Sequence, residues 1–434
     1  MSSIIIYMIK RIYMDHAATT YLDPRVKKAM DNFWLAKFGN PSSLYKEGRE
    51  AKEAVEKARK EIAGLINAKP EGIIFTSGGT ESDNLAIFGV ARNFVSLKTD
   101  NKGNLTETKI SGSPHIITTK FEHHAVLNPC KFLEKRGFDV TYLDVGKEGI
   151  VKPEDVKKAL RKNTVLVSIM YANNEIGTVQ PIPEISKIIR NFRNAKHEAR
   201  NSKVSDFGFR ISDLREKTPF FHVDACQAAG YLDLNVEKLG VDLMTINGSK
   251  IYGPKGIGLL YAKKGIKLEP LMAGGEQERK IRPGTENVPG IIGLASALRI
   301  SQKEKNKEKK RLVALRDYFI KRLTAEIPKS FLNGHPKIRL PNNINVSILG
   351  TEGESIVLYL DELGVACSTG SACTSESLEP SHVIMALGKP HEYSHGSVRF
   401  TLGRRNTKKD IDYVMKILPG VVERLRKISA TWQK

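Results

Sequence analysis

Little cysteine, few acidic residues for the number of basic ones, and no long apolar run mark this sequence. Four cysteines, Cys130, Cys226, Cys367 and Cys373, are spread over 434 residues. That is too few for a disulfide framework. No two have C-x-x-C spacing and no Cys/His array accompanies them, which speaks against a structural zinc site, and no metal is expected. Each thiol is therefore judged alone, as a core side chain or as a reactive one. No stretch of about eighteen apolar residues occurs, so no transmembrane helix and no membrane association are expected. Near the start, Ile4-Ile5-Ile6-Tyr7-Met8-Ile9 precedes Lys10-Arg11. That apolar run is too short for a signal-peptide core, and no small-residue cleavage site follows. It reads as an edge strand or an arm, and the expected location is the cytoplasm.

Lys and Arg number 69 against 48 Asp and Glu, a net charge of +21. Such a field attracts nucleic acid and acidic proteins. The basic residues are dispersed, however, and no aromatic-interleaved basic stretch stands out. The charge reads as a solvated surface, with direct nucleic-acid binding the lesser reading. Hydrophobic residues make up 40%, enough for a sizeable core without covalent staples. The length suits a large domain plus a smaller one.

Leu44 to Ile66, rich in Ala, Glu and Lys, has the pattern of a long amphipathic helix. β-type runs then alternate with helical ones. Strands are expected at Ile73–Thr76, Ile116–Thr119, Val140–Leu143, Val165–Met170, Phe220–Val223, Leu243–Thr245 and Gly258–Tyr261, with helices at Pro153–Leu160 and Pro183–Phe192 among others. This alternation predicts an α/β fold with a mainly parallel central sheet covered on both faces. The large domain is expected over residues 28–290, and a smaller α+β domain from 1–27 and 291–434. Ser96–Ser113 and Arg193–Thr218 read as exposed, mobile insertions. Ser301–Lys310 reads as a solvated helix face.

Three segments carry chemistry. Thr76-Ser77-Gly78-Gly79-Thr80-Glu81-Ser82 lies between a strand and a helical pattern. Its glycines let backbone approach an anion, and a helix start offers free N–H groups and a favourable dipole. Thr80 and Ser82 add hydroxyls. The competing reading is a plain capped turn. Asp224 stands at the end of Phe221-His222-Val223, where a buried acid pairs with a cationic ring nitrogen or caps the following segment. Lys250, in Asn247-Gly248-Ser249-Lys250-Ile251-Tyr252-Gly253-Pro254, sits between a strand and a Gly/Pro turn. A lysine there can form a Schiff base once its pKa is lowered, although most lysines are simply solvated. The three in chain order are far more specific than any one. Cys373 lies among small polar residues, Ser368-Thr369-Gly370-Ser371-Ala372-Cys373-Thr374-Ser375. That context favours an exposed loop and a nucleophilic thiol. Cys130, Cys226 and Cys367 sit in apolar or strand-adjacent contexts and read as buried thiols.

Together these segments resemble the cysteine desulfurases of the NifS/IscS type, within the class V, fold type I pyridoxal-phosphate enzymes. The likeness runs in order through Asp15-His16-Ala17-Ala18-Thr19-Thr20, Phe38-Gly39-Asn40-Pro41-Ser42-Ser43, Glu122-His123-His124-Ala125-Val126-Leu127 and Asn173-Asn174-Glu175-Ile176-Gly177. It continues through Arg282-Pro283-Gly284-Thr285 and Ser397-Val398-Arg399-Phe400. The Cys373 segment followed by Leu378-Glu379-Pro380-Ser381-His382 is similar to the long-loop group.

The resemblance implies pyridoxal 5'-phosphate as cofactor and L-cysteine as substrate, with alanine and an enzyme persulfide as products. Lys250 would carry the cofactor and move the Cα proton, His123 would stack on the ring and relay protons, and Cys373 would receive the sulfur. Asp224 would pair with the ring nitrogen and Gln227 with the ring hydroxyl. Gly79, Thr80, Asn247 and Ser249 would hold the phosphate, joined by Thr285 from the other subunit of a homodimer. Arg399 would grip the substrate carboxylate, helped by Asn174, which also reaches the cofactor, and by Asn40. The sulfur acceptor would be an iron–sulfur scaffold or a tRNA thiolation enzyme. One departure stands out: family members read S-x-H-K where this chain reads Asn247-Gly248-Ser249-Lys250, so the imidazole is missing. No role is assigned to His16. Selenocysteine lyase, another class V enzyme and a non-catalytic scaffold subunit are the alternatives.

Overall fold

The computed structural model describes residues 11–99, 105–109, 113–201, 218–370, 380–429 and 432. The Ile4–Ile9 run and Cys373 therefore lie outside the described residues. The chain begins with β1 (Ile12–Tyr13), α1 (Pro24–Leu35), α2 (Lys46–Leu65), β2 (Ile73–Thr76) and α3 (Gly79–Ala91). There follow β3 (Val95–Thr99), β4 (Leu105–Lys109), β5 (His115–Thr119), α4 (His124–Lys135), β6 (Asp139–Leu143), α5 (Pro153–Ala159), β7 (Thr164–Ser168) and α6 (Ile182–Asn201). Next come β8 (Phe220–Asp224), α7 (Val236–Leu239), β9 (Leu243–Asn247), β10 (Gly258–Ala262), α8 (Gln277–Lys280) and α9 (Val288–Glu326). The last part holds β11 (Ser330–Leu332), β12 (Asn343–Ile348), α10 (Gly353–Glu362), β13 (Val365–Ala366), α11 (His382–Ala386), α12 (His391–His395), β14 (Ser397–Thr401) and α13 (Lys408–Ile428).

Seven strands form the central sheet in the order β2-β10-β9-β8-β7-β5-β6. β6, β5, β7, β8 and β9 run parallel, and β10 is antiparallel to both its neighbours. β5, β7, β8 and β10 are buried along their whole length. Sequences such as Thr-Val-Leu-Val-Ser suit that double cover, because β-branched side chains fill both faces. The mainly parallel α/β sheet expected from the alternation is present. In such a sheet the carboxyl ends of the strands share one edge, where ligands bind.

A second, antiparallel sheet, β11-β12-β14, is built from the C-terminal part. β1 pairs in parallel with β13, and Asp15 bridges to Thr401 on β14. The residues just before Thr20 are thereby tied to the C-terminal elements. Helix ends follow their local signals. Asp23 caps α1 with Pro24 at its first position, and Thr407 and Asp410 form a capping box on α13.

Two expectations need correction. Within Ser96–Ser113, β3 and β4 pair as an antiparallel hairpin, so this stretch is not simply a loop. Within Arg193–Thr218, α6 continues to Asn201. The charge there decorates a helix built from good formers such as Ala, Lys and Glu, so the insertion does not begin at Arg193. Arg193 fastens that helix by donating to the Pro219 carbonyl at 2.8 Å and pairing with Asp242. The Ser301–Lys310 stretch lies on α9 and exposes Lys303, Lys307, Lys309 and Lys310. Even so, Glu304 pairs with Arg25 and Gln302 donates to the Ala229 carbonyl.

Candidate active site

Four chain segments leaving the carboxyl edge of the central sheet converge on one cavity of about 630 Å³, a size typical of small-molecule sites. From β2 come Gly79 and Thr80, at the first turn of α3. A Cβ on Gly79 would lie 2.8 Å from Cys226 Sγ, so glycine is needed for the helix start to approach this closely. Its leading N–H groups have no intrahelical partners and suit an anion. Ser82, read as a further hydroxyl donor, is buried and shares a 2.7 Å hydrogen bond with Thr76. Its hydroxyl builds the turn and is not among the groups lining the cavity.

From β8 comes Asp224, buried at the strand end, where one carboxylate oxygen accepts from the Cys226 N–H at 2.8 Å. The two readings of Asp224 coexist, since the same side chain closes the turn and lines the cavity. From β9 come Asn247 and Lys250. Lys250 Nζ donates to the carbonyl oxygen of Ala17 at 2.9 Å and also to that of Ala18. Gln227 Nε2 donates to the same Ala17 oxygen at 3.0 Å.

His123 opens α4, just beyond β5. Its Nδ1 accepts from the Ala125 N–H at 3.1 Å, which leaves Nε2 as the proton-bearing atom of the neutral ring. Burial lowers the His123 pKa, Asp224 opposes the shift, and the charge of Lys250 reinforces it. The imidazole is therefore held neutral near pH 7. Behind it, Glu122 is fully buried and accepts from Thr119 Oγ1 and the Met170 N–H. Burial raises its pKa to about 8. Asp83, on α3, lines the cavity and is also pushed well above the carboxylate range, by burial first and by Asp224 second.

The opposite wall belongs to the C-terminal part. Arg399, on β14, is only 2% exposed. It donates to Asp15 Oδ1 at 2.8 Å and to the Asn174 carbonyl at 3.1 Å. Its Nε and the side-chain oxygen of Asn174 are buried and have no hydrogen-bond partner among the described residues. Leaving buried polar atoms unpaired is costly, so a donor and an acceptor wait here for a ligand. Gly370, Glu175, Ser381 and His382 complete this wall. Ser381 donates to Glu175, and burial raises the Glu175 pKa to about 7.

The cavity thus gathers Gly79, Thr80, His123, Asn174, Asp224, Gln227, Asn247, Lys250 and Arg399 from the sequence-derived set. It does not gather Ser249, Thr285 or Asn40. Ser249 Oγ donates to Asn247 Oδ1 instead, and Thr285 and Asn40 are exposed. Cys373 lies outside the described residues, although Gly370 and Pro380, on either side of its segment, line the cavity. The carbonyls of Ala17 and Ala18, the acids Asp83, Glu122 and Glu175, and His382 were not assigned from sequence. All of them sit in or beside segments quoted for the resemblance, but a main-chain carbonyl or a buried carboxylate leaves no pattern of its own. Cys130, Cys226 and Cys367 are buried, as expected.

An anion cradle, an acid at a strand end, a lysine within the same cavity and an orphaned acceptor and donor fit pyridoxal 5'-phosphate bound beside an amino acid. Comparison with known proteins agrees. The class-V aminotransferase family matches residues 12–197 and 209–414, and the chain belongs to that family. Within it the chain stands with the cysteine desulfurases of the NifS/IscS type, which depend on pyridoxal phosphate. It is 51% identical to the cysteine desulfurase IscS of Dictyoglomus turgidum over 422 residues, 97% of each chain. A solved NifS-like protein superposes with a TM-score of 0.80 at 34% identity, covering 95% of this chain and 100% of the other. The solved complex of SspA with cysteine superposes with a TM-score of 0.71 at 31% identity, covering 90% and 98%.

Proposed function

We propose that this chain takes sulfur from L-cysteine at the cavity described above and delivers it to Cys373. The observation carrying this reading is that Lys250, Asp224 and the start of α3 line one cavity whose far wall offers an unpartnered guanidinium Nε on Arg399. When bound, pyridoxal phosphate supplies an electron sink for the substrate carbon skeleton. The start of α3 and Asn247 hold the phosphate. Asp224 supports a protonated ring nitrogen, and Asn174 and Gln227 reach the ring hydroxyl. Arg399 orients the substrate carboxylate through paired N–H donors. Lys250 moves the Cα proton, and His123, neutral with its proton on Nε2, passes protons between the substrate and the site.

The Cys373 thiolate then forms an S–S bond to the substrate sulfur as the Cβ–S bond breaks. The electron pair stays with Cβ, which takes a proton and leaves as alanine, and the enzyme keeps a persulfide. The SspA neighbour solved with cysteine supports the substrate assignment.

The working form is a homodimer. Trp34, Leu35, Phe38, Leu44 and Tyr45 form a run of exposed large apolar side chains around Asn40, the kind of surface that a second subunit covers. Thr285 is exposed and absent from the cavity of its own chain, which suits donation to a partner's site. Among the described residues no helix is long and apolar enough to cross a membrane, and we place the enzyme in the cytoplasm. The acceptor is an iron–sulfur scaffold or a tRNA thiolation enzyme.

Replacing Cys373 by Ala tests the reading. The variant should keep the absorbance of lysine-bound cofactor and make no alanine beyond background. Full turnover in it would defeat the assignment.

A further inference from the structure

Every polar main-chain and side-chain group of Ser249 is in use, and none of them reaches the cavity. Its N–H and its hydroxyl both donate to Asn247 Oδ1, each at 3.2 Å. Its carbonyl accepts from the N–H of Thr20 at 2.8 Å and from the Thr20 hydroxyl at 2.9 Å. A backbone N–H can only donate, so the atom of Asn247 facing it is the oxygen, and the orientation of the carboxamide follows from chemistry. The amide nitrogen is thereby turned the other way. It lies 3.4 Å from the point where a Cβ on Gly79 would sit, beside the first turn of α3.

We infer that Ser249 is a positioning residue, which turns the Asn247 carboxamide so that its NH2 faces the anion cradle at the start of α3. This rests on the cofactor reading above and revises the expectation drawn from the resemblance, because Ser249 then acts on the phosphate only through Asn247. The geometry also accounts for the chain's departure from S-x-H-K. Here the donor to the phosphate is the Asn247 amide, and Ser249 holds it in place while anchoring Thr20. An amide free to rotate would present its oxygen to the anion part of the time and repel it. A fixed amide offers two N–H donors and no acceptor.

The test follows cofactor release from purified holoprotein. Wild type, Ser249→Ala, Ser249→Thr, Asn247→Ala and the Ser249→Ala/Asn247→Ala double variant are loaded with pyridoxal 5'-phosphate and, separately, with pyridoxal, which lacks the phosphate. Loss of the lysine-bound absorbance is timed after dilution. Ser249→Ala loses one of the two bonds to Asn247 Oδ1 and should release pyridoxal 5'-phosphate roughly three- to tenfold faster, the scale of a hydrogen bond between neutral groups. Asn247→Ala should do at least as much, and the double variant no more than Asn247→Ala alone, as expected of two residues acting in series. Ser249→Thr, which keeps both donors, should stay near wild type. Pyridoxal release should be the same in Ser249→Ala and wild type.

An unchanged rate in Ser249→Ala overturns the inference. So do effects that multiply in the double variant, since Ser249 would then touch the phosphate itself. Equal acceleration of pyridoxal and pyridoxal 5'-phosphate release also overturns it. A wild-type protein with no lysine-bound absorbance would remove the cofactor reading as well, which separates that failure from the others.

Discussion

Lys250 Nζ donates to the carbonyl oxygen of Ala17 at 2.9 Å, across 233 residues of chain. The Gln227 side chain donates to the same oxygen at 3.0 Å. One main-chain carbonyl near the N-terminus therefore orders two groups that arrive from different strands. Thr20, three residues on, holds the Ser249 carbonyl. The segment Asp15–Thr20 is the floor on which the lysine turn rests. It is fixed in place by the Asp15 bridge to Thr401 and the Asp15–Arg399 ion pair.

Lys250→Ala should abolish the absorbance of lysine-bound cofactor and reduce alanine formation to background. Visible spectroscopy on the purified variant checks this. Retention of that absorbance would move the attachment point to another amine.

Asp224→Asn keeps the shape of the turn, including an oxygen to accept from Cys226 N–H, but removes the negative charge proposed to pair with the ring nitrogen. Turnover should fall roughly 10–100-fold or more, the scale of losing a charged hydrogen-bond partner. Steady-state alanine production measures it, with cofactor absorbance as the control for binding. An unchanged rate would leave Asp224 as a turn-closing residue alone.

Arg399→Lys retains a positive charge but loses the planar fork. The KM for cysteine should rise about 10–100-fold with a smaller change in kcat. Thermal melting should accompany the assay, because Arg399 also ties Asp15 to the Asn174 loop. A wild-type KM would place the carboxylate elsewhere.

Glu122 carries a pH signature. Its folded pKa is raised by burial from 4.5 to about 8. Between those values the folded chain keeps a proton that the unfolded chain has lost. The stabilising contribution is complete below the unfolded pKa and disappears as pH rises through the folded one. Glu122→Gln cannot titrate, so its stability should decline less than that of wild type from about pH 5 to about pH 8.5. Urea midpoints at the two pH values give the comparison. Parallel declines in the two proteins would assign the proton elsewhere.

Much of this site could be read from sequence because its side chains stand where strands end and turn signals begin. Gly79, Asp224, Asn247 and Lys250 each follow a short β-type run, and the sheet delivers such positions to a common edge. Arg399 and Asn174 needed the family resemblance, since nothing local marks an arginine on a buried strand as a ligand. The carbonyls of Ala17 and Ala18 had no side-chain signature at all. Ser249 was expected to touch the phosphate because the family resemblance places a phosphate contact at that position. Only the coordinates show both its donors spent on Asn247. At Arg193–Asn201 a charged stretch read as the start of an insertion is the end of α6, because a solvated helix face looks, in one dimension, like a loop.

Burial closes off three of the four cysteines. Burial pushes the Cys367 thiol up to about 12 and raises Cys130 and Cys226 as well. Such thiols carry almost no thiolate near pH 7 and are closed to reagents. In the native protein iodoacetamide should label Cys373 first, with the other three following only on unfolding. Peptide mapping reads the order. Rapid native labelling of Cys226, at the cavity wall, would instead offer a second acceptor for sulfur.

The most direct test of sulfur delivery is intact and peptide mass spectrometry of holoprotein after a brief exposure to L-cysteine, without reductant. One sulfur atom should appear on Cys373 and on no other thiol, and Lys250→Ala should acquire none. Sulfur on Cys130, Cys226 or Cys367, or alanine formed with Cys373 unmodified throughout, would contradict the account.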